Sequence, residues 1–367
     1  MNELTFGVSI SLTGKYSPQA KESFEGINLW VDEVNQSRGL YVKELKKNLQ
    51  IKLVSLDDGS IEEKCRSNIN KLIKDERVDF LLGPYSSGLT LAAAETAEQN
   101  GVLLWNHGGS TDEVFEGRFT KIISTITPAS EYFKNPIKMI RELDSSASTL
   151  VIIYAHNSGF SSNVARGAIK TGKLLGFDIT ELIFISGIDD FGSLINKINM
   201  ENVDLILGAG RAEDDIRLAK SLIELHTKSK AVGLVVASIK KFIKIFKDKA
   251  NGFLSTSQWE KDITIRPDIG PTPLNFFSRF YKKYGIEPDY LGAQGYNIGL
   301  VIQYLIQHTG TIDNSSLLKA SKEIEFNTFY GNFRLDPVTG DQVGHKMLTT
   351  QWQNGRKMIV YPLECSN

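Results

Sequence analysis

Several things are scarce in this sequence, and each shortage narrows what the protein can be. There are two cysteines, Cys65 and Cys365, in 367 residues. With no CxxC spacing they suggest neither a disulfide framework nor a zinc site, and a bridge between them is not expected. Nothing approaches the ~18 consecutive apolar residues that a bilayer-spanning helix needs. Neither sign of charge is in excess, since 42 Lys plus Arg face 43 Asp plus Glu. That balance lacks the electrostatic footprint of a nucleic-acid binder or a membrane-surface protein. The start, MNELTFGVSISL, shows no basic stretch, apolar core or small-residue cleavage site. The expectation is a cytosolic protein, or a mature form with an added Met. Pro, Gly and Ser do not gather near 120–130 as a flexible tether requires.

What is present is alternation. Short β-branched or apolar runs take turns with amphipathic stretches of about 12–17 residues, the mark of βαβ units and a mostly parallel sheet. Strands are expected at Thr5–Leu12, Leu49–Leu56, Val78–Leu82 and Val102–Trp105. Ser17 and Pro18 suit an N-cap and first helical position, and Phe24, Ile27, Val31 and Val34 follow at helical spacing. Helices are expected at about 61–74 and from Leu89 to Gln99, with Cys65 on the buried face of its helix.

After Lys121 the pattern restarts. Strands are expected at Leu150–Tyr154, 178–185, Val203–Leu207 and Ala231–Val236, with helices at about 161–175 and Ala212–Leu225. Further helices at about 273–284 and 291–307 precede three β-rich segments, 329–335, 347–353 and 357–361, separated by the turn signals PVTGD and QNG. The fold class is α/β, with two doubly wound parallel-sheet lobes and an antiparallel end.

In open α/β sheets ligands bind beyond the carboxyl ends of the strands, so the strand-to-helix turns carry the functional reading. GPYSSG places Ser86 and Ser87, beside Tyr85, at a helix start, where hydroxyls, free N–H groups and the helix dipole favour an anion. WNHGGSTDE repeats the theme with Asn106, Gly108, Gly109, Ser110 and Thr111, the glycines permitting close backbone approach. Neither turn carries Lys or Arg, so a single carboxylate suits them better than a polyphosphate. Tyr16, Tyr85, Trp105, Phe160, Trp259 and Tyr290 are interleaved with such turns. They serve packing equally well, or an apolar wall with a few fixed polar groups, as a small-molecule cleft needs.

Catalytic patterns fail. GAGRAED begins like a dinucleotide fingerprint, but Glu213 stands where a third Gly or Ala belongs. There is no GxxxxGK[ST], and Ser238 to Lys241 fits SxxK without its companion motifs. His107, Asp112 and Ser86 form a triad only on paper, with no GxSxG elbow. The five histidines (His107, His156, His226, His308 and His345) lack HxH or HExxH spacing, so no metal site is expected. The protein is expected not to be an enzyme and to need no cofactor.

Taken in order, FGVSISLTGKYS, FEGINLWVDEVN, the Asp57–Asp58 pair, KLIKDERVDFLLGPYSS, AEQNGVLLWNHGGS, GFSSNVARGA and GFLSTSQWE carry a resemblance over nearly the whole chain. The sequence resembles the branched-chain amino acid (Leu/Ile/Val-type) solute-binding proteins of ABC transporters, with the type I periplasmic-binding fold. The resemblance implies that one lobe holds a ligand carboxylate and amine through serine and threonine groups, while the other closes over it with aromatic residues. Tyr16 resembles the family's aromatic after the first strand, Ser86 and Ser87 its paired-serine turn, and Gly108 and Ser110 its backbone-plus-hydroxyl pair. Phe160 falls where the second lobe usually offers a tyrosine.

Two positions depart from the family. Gly210 and Arg211 stand where an aromatic is usual, and Ala237 where a Glu meets the ammonium. An unpaired buried ammonium is costly, so either Glu213, Asp57 or Glu260 replaces that acid, or Arg211 meets a second acidic or carbonyl group on another kind of ligand. The resemblance also implies three crossings between lobes, placed near 122–128, 250–256 and 327–332. Lobe 1 is then 1–122 with 256–328, lobe 2 is 125–250 with 331–367, and the ligand cleft lies between them. The ligand-binding set is Tyr16, Tyr85, Ser86, Ser87, Asn106, Gly108, Ser110, Phe160, Arg211 and Trp259. The expected protein is a monomeric, extracytoplasmic solute-binding protein, periplasmic or anchored at the cell surface. It would present a small carboxylate-bearing ligand, an amino acid or related acid or amide, to an ABC transporter permease. The alternative is a ligand-sensing domain, receptor or regulatory, of the same fold.

Overall fold

The computed structural model of the protein describes residues 3–365 other than 116, 189 and 200–202. Met1, considered above as an added start, lies outside them. Strand β1 (Glu3–Ile10) is buried along nearly its whole length, as a strand covered on both faces must be. Helix α1 (Ser17–Gln36) follows, with Tyr16 at its N-cap position and Pro18 in its first turn. Ser17 is therefore inside the helix and does not cap it; its hydroxyl donates to the Leu12 carbonyl at 2.9 Å. Next come β2 (Leu40–Val42), β3 (Lys47–Asp57), α2 (Glu62–Lys74), β4 (Phe80–Leu82), α3 (Ser87–Gln99), β5 (Leu104–Asn106) and β6 (Ile122–Ser124). They form one sheet in the order β2-β3-β1-β4-β5-β6, parallel except for β2. Cys65 is fully buried on α2, among Ile69, Leu72, Leu81 and Leu89, and both cysteines are free thiols.

The chain continues through α4 (Lys134–Leu143), β7 (Thr149–Ala155), α5 (Gly159–Leu174), β8 (Asp178–Phe184), α6 (Gly192–Asn199), β9 (Val203–Ala209), α7 (Ala212–Glu224), β10 (Ser229–Leu234), α8 (Lys240–Phe246) and β11 (Leu254–Ser257). After α9 (Pro273–Tyr284), α10 (Tyr290–Thr309), α11 (Asn314–Ser321) and the hairpin β12 (Glu325–Asn327) with β13 (Asn332–Arg334), it ends in β14 (Leu348–Gln353) and β15 (Arg356–Tyr361). The second sheet runs β15-β14-β11-β10-β9-β7-β8, with β14 and β15 antiparallel at its edge. Apolar side chains cover both of its faces. Phe191, Leu218, Phe242 and Trp352 belong to one layer, and Phe133, Ile137, Val164 and Leu205 to the other.

The chain divides into two compact units, 1–128 with 265–346 and 129–264 with 347–367. This corrects the expected lobes at the later two crossings. Residues 256–264 belong to the second unit because β11 pairs with β10 and β14, and the Thr264 N–H donates to the Cys365 carbonyl. Residues 331–346 belong to the first. There β13 pairs with β12, and the His345 Nδ1 lies 2.6 Å from the Thr127 hydroxyl. The 329–335 segment thus extends the first unit and adds nothing to the antiparallel end of the second.

The first unit closes its sheet with helices from both ends of its sequence. Helix α10 is buried along most of its length. The Tyr296 hydroxyl donates to the Glu33 carboxylate of α1 at 2.6 Å, and the Trp30 indole N–H donates to Gln303 at 3.1 Å.

Candidate functional site

Each sheet reverses its winding beside its first strand, and such a reversal opens a crevice at the carboxyl ends of the flanking strands. In the first unit the reversal lies between β1 and β4. The loop after β1 is held by two aspartates. Asp57 accepts from the N–H groups of Leu12, Thr13 and Gly59 and from the Thr13 hydroxyl. Burial works against its charge, but these donors and Lys64 outweigh it and hold the carboxyl down at about 2. Asp58 is fully buried and accepts from the Ser9 and Ser11 hydroxyls and the Ser60 N–H; burial raises its carboxyl above the usual range. The pair therefore fixes the loop that carries Tyr16. The Tyr16 ring meets that of Tyr85 edge-on, 6.3 Å between centroids.

The turn after β4 leads into α3 with Ser86 at the N-cap position. Its hydroxyl caps nothing: the oxygen is buried and has no hydrogen-bond partner. Ser87 is differently employed, since its hydroxyl accepts from the Thr111 N–H at 3.2 Å and ties this turn to the next. In that next turn the Asn106 amide donates to the Gly109 carbonyl and the Ser124 hydroxyl, and its oxygen accepts from the N–H groups of Gly108 and Gly109. Both ends of Asn106 are committed. Its observed role is to shape the turn. Gly108 is also explained by packing: a Cβ there would stand 2.4 Å from the Pro84 carbonyl oxygen. Its close approach is to the neighbouring turn. Ser110 is buried at the end of the same loop. His107, fully buried with its Nε2 2.9 Å from the Ser23 hydroxyl, has its imidazole pushed down to about 4 by burial.

In the second unit the reversal lies between β7 and β9. Helix α5 begins there, capped by Ser158, whose hydroxyl accepts from the Ser161 N–H. Phe160, in the first turn, packs edge-on against Tyr132 with centroids 5.3 Å apart, and the Gln258 amide donates to the Tyr132 hydroxyl at 2.9 Å. The adjoining Trp259 is 2% exposed, and its backbone is bonded to the Ser257 hydroxyl. Phe160, Tyr132 and Gln258 thus make one cluster, with Trp259 next to Gln258 in the chain. Arg211 stands apart from it, exposed at the N-cap position of α7. Tyr132, Gln258 and Ser161 had escaped the sequence reading. Ser161 is fully buried with an unpartnered hydroxyl; the run of serines in NSGFSS was its only signal.

The profile of the periplasmic binding protein family matches residues 3–357. The chain belongs to that family. It is 24% identical over 269 residues to the Leu/Ile/Val-binding protein BraC3 of Rhizobium johnstonii, covering 72% of this chain and 70% of that one. Its fold matches a putative branched-chain amino acid ABC transporter protein of Silicibacter pomeroyi with a TM-score of 0.84, at 17% identity over 100% of this chain and 98% of that one. It also matches an R. palustris ABC transporter solute-binding protein in complex with benzoate, TM-score 0.79 and 17% identity, over 98% and 95% of the two chains. The resemblance to Leu/Ile/Val-type solute-binding proteins therefore stands, and with it the type I fold.

Within this periplasmic binding protein, the first of the two departing positions has a local cause. A Cβ on Gly210 would lie 2.5 Å from a carboxylate oxygen of Asp215, which accepts the Gly210 N–H at 2.6 Å. Asp215 is fully buried, also accepts from the Val236 N–H, and has its carboxyl pushed up to about 8 by burial. Ala237 is fully buried, and its carbonyl accepts the Trp352 indole N–H at 2.5 Å. Of the three acids considered as substitutes for a Glu there, Glu213 pairs with Lys241 and Glu260 with Lys357, while Asp57 serves its own loop.

Proposed function

We propose that this protein is the extracytoplasmic, monomeric solute-binding component of an ABC importer. It binds one small carboxylate-bearing ligand without catalysis and delivers it to a permease. The observation that carries the reading is the Ser86 hydroxyl, buried, unpartnered and placed at the start of α3 beside the reversal of the first sheet. A buried hydroxyl without a partner is costly, and a helix N-terminus favours a negative group. Together they suit a carboxylate. The names of the relatives support the same class, one being a Leu/Ile/Val-binding protein and one a complex with benzoate. In this reading Tyr16, Tyr85, Ser87, Gly108 and Ser110 surround the carboxylate end from the first unit. Phe160, Trp259 and Arg211 engage the remainder from the second unit.

A thermal-shift screen of amino acids, short aliphatic acids and aromatic acids tests the reading. A ligand at 100 times its Kd adds about 2.7 kcal/mol of stability. Ser86→Ala should weaken that ligand's binding by about 1–3 kcal/mol while leaving the ligand-free melting temperature unchanged. If no small acid shifts the melting curve, the reading is wrong.

A further inference from the structure

A carboxylate says little about the other end of a ligand, and the acids of the protein itself narrow that end. An α-amino acid brings an ammonium, and burying it without a negative partner is strongly unfavourable. Hydroxyls and carbonyls accept its hydrogen bonds, but the groups able to neutralise its charge are the carboxylates in the loops that follow the parallel strands. In the first unit these are Asp57, with four donors, Asp58, with three, Glu113, which accepts from the Thr111 hydroxyl, and Asp112, buried and also partnered. Glu62 and Glu63 are exposed, in the first turn of α2, where the helix dipole already favours their charge.

The second unit repeats the pattern. Asp214 accepts from the Ser186 hydroxyl, the N–H groups of Gly187 and Arg211, and Arg217. Asp215 is enclosed by the Gly210 and Val236 N–H groups. Glu260 meets Lys357 at 2.8 Å, with both side chains largely buried, and Lys357 also donates to the Ser238 carbonyl at 3.1 Å. A cation thus already occupies Glu260, and Glu131, next to Tyr132, is likewise paired, with Lys134.

We propose that the ligand is a small carboxylic acid that carries no ammonium group, because every buried or half-buried carboxylate in these loops, among the described residues, is already engaged within its own unit. This rests on the carboxylate reading above and narrows it. The same arrangement penalises an amino acid, because its ammonium finds no free acid.

The experiment is titration calorimetry with matched pairs on the whole protein, leucine against 4-methylpentanoate and phenylglycine against phenylacetate, with benzoate as a further acid. The expected result is that the amine-free member of the better pair binds at least about tenfold more tightly, a difference of about 1.4 kcal/mol. Lys357→Met releases Glu260 and should narrow that ratio by raising affinity for the amino acid. Should this variant not fold, the wild-type ratio decides alone. Equal or tighter binding of the amino acid by the wild-type protein overturns the inference and leaves the carboxylate reading standing. Binding of none of these acids, nor of any acid in the wider screen, overturns the carboxylate reading itself.

Discussion

At the reversal of the first sheet the turns are lined by neutral donors, and one hydroxyl, that of Ser86, is buried with no partner. At the reversal of the second sheet the Ser161 hydroxyl is likewise buried with no partner, but charged groups are plentiful there and in the unit's other loops, and they answer one another: Asp214 with Arg217, Glu213 with Lys241, and, after β11, Glu260 with Lys357. The same βα architecture therefore yields two different surfaces. An unanswered neutral group is available to a ligand, whereas an answered ion pair mainly holds its own loop. Counting charges near a strand end is a poor guide to binding; counting unmet hydrogen-bonding capacity is a better one.

The sharpest way to break this comparison is Asn106→Ala. It removes the side chain that meets the buried Gly108 and Gly109 N–H groups, so the free protein should lose about 3 kcal/mol or more, read by denaturant unfolding. That loss against an unchanged stability for Ser86→Ala would separate the residue that shapes the turn from the one that serves a ligand. Equal losses would erase the distinction.

A second test uses pH. Asp215 has a folded-state pKa of about 8, raised by burial above its unfolded value, so the folded state keeps a proton that the unfolded state has released. Its stabilising contribution is full below about pH 4 and is lost as pH rises towards 8, by at most about 1.4 kcal/mol per unit. Asp57, held at about 2, has the opposite sign: its contribution is present above about pH 4 and lost as pH falls through 2. Melting temperatures between pH 5 and 8 should fall with pH in the wild-type protein and flatten in Asp215→Asn. Unchanged slopes would mean that Asp215 is charged in the folded state.

The smallest expected effect is Phe160→Ala. Loss of its edge-on contact with Tyr132 and of its half-buried ring surface should cost about 1–3 kcal/mol of stability, and ligand binding should weaken as well. A variant with full affinity would remove Phe160 from the site.

Much of this was legible in the sequence, for identifiable reasons. Long periodic segments such as α1, β7 and α10 announce themselves because one face, or the whole element, must be apolar. The three-residue strands β2, β6 and β12 do not, since their neighbours' register creates them, and β11 reads as LSTS, a polar run buried inside a sheet. The later crossings were misplaced for that reason. At the site, Ser86 and Phe160 stood out as a hydroxyl and an aromatic in strand-end turns. Asn106 is identical in kind to a ligand-binding residue, and only its partners in space, the turn's own backbone and Ser124, show that it shapes the turn. Tyr132 lies in a connecting segment and could not be joined to Phe160 without coordinates.

The bond between Tyr296 and Glu33 joins the opening helix of the chain to one that is made about 250 residues afterwards. At a ribosomal pace of about 5–20 residues per second, α1 waits for more than ten seconds with its apolar side uncovered. The second unit, most of whose residues emerge during that interval, can begin to assemble before the first is complete. A protein of this design leaves the ribosome with α1 among the last of its elements to be sheltered, so whatever guards the nascent chain must guard that helix.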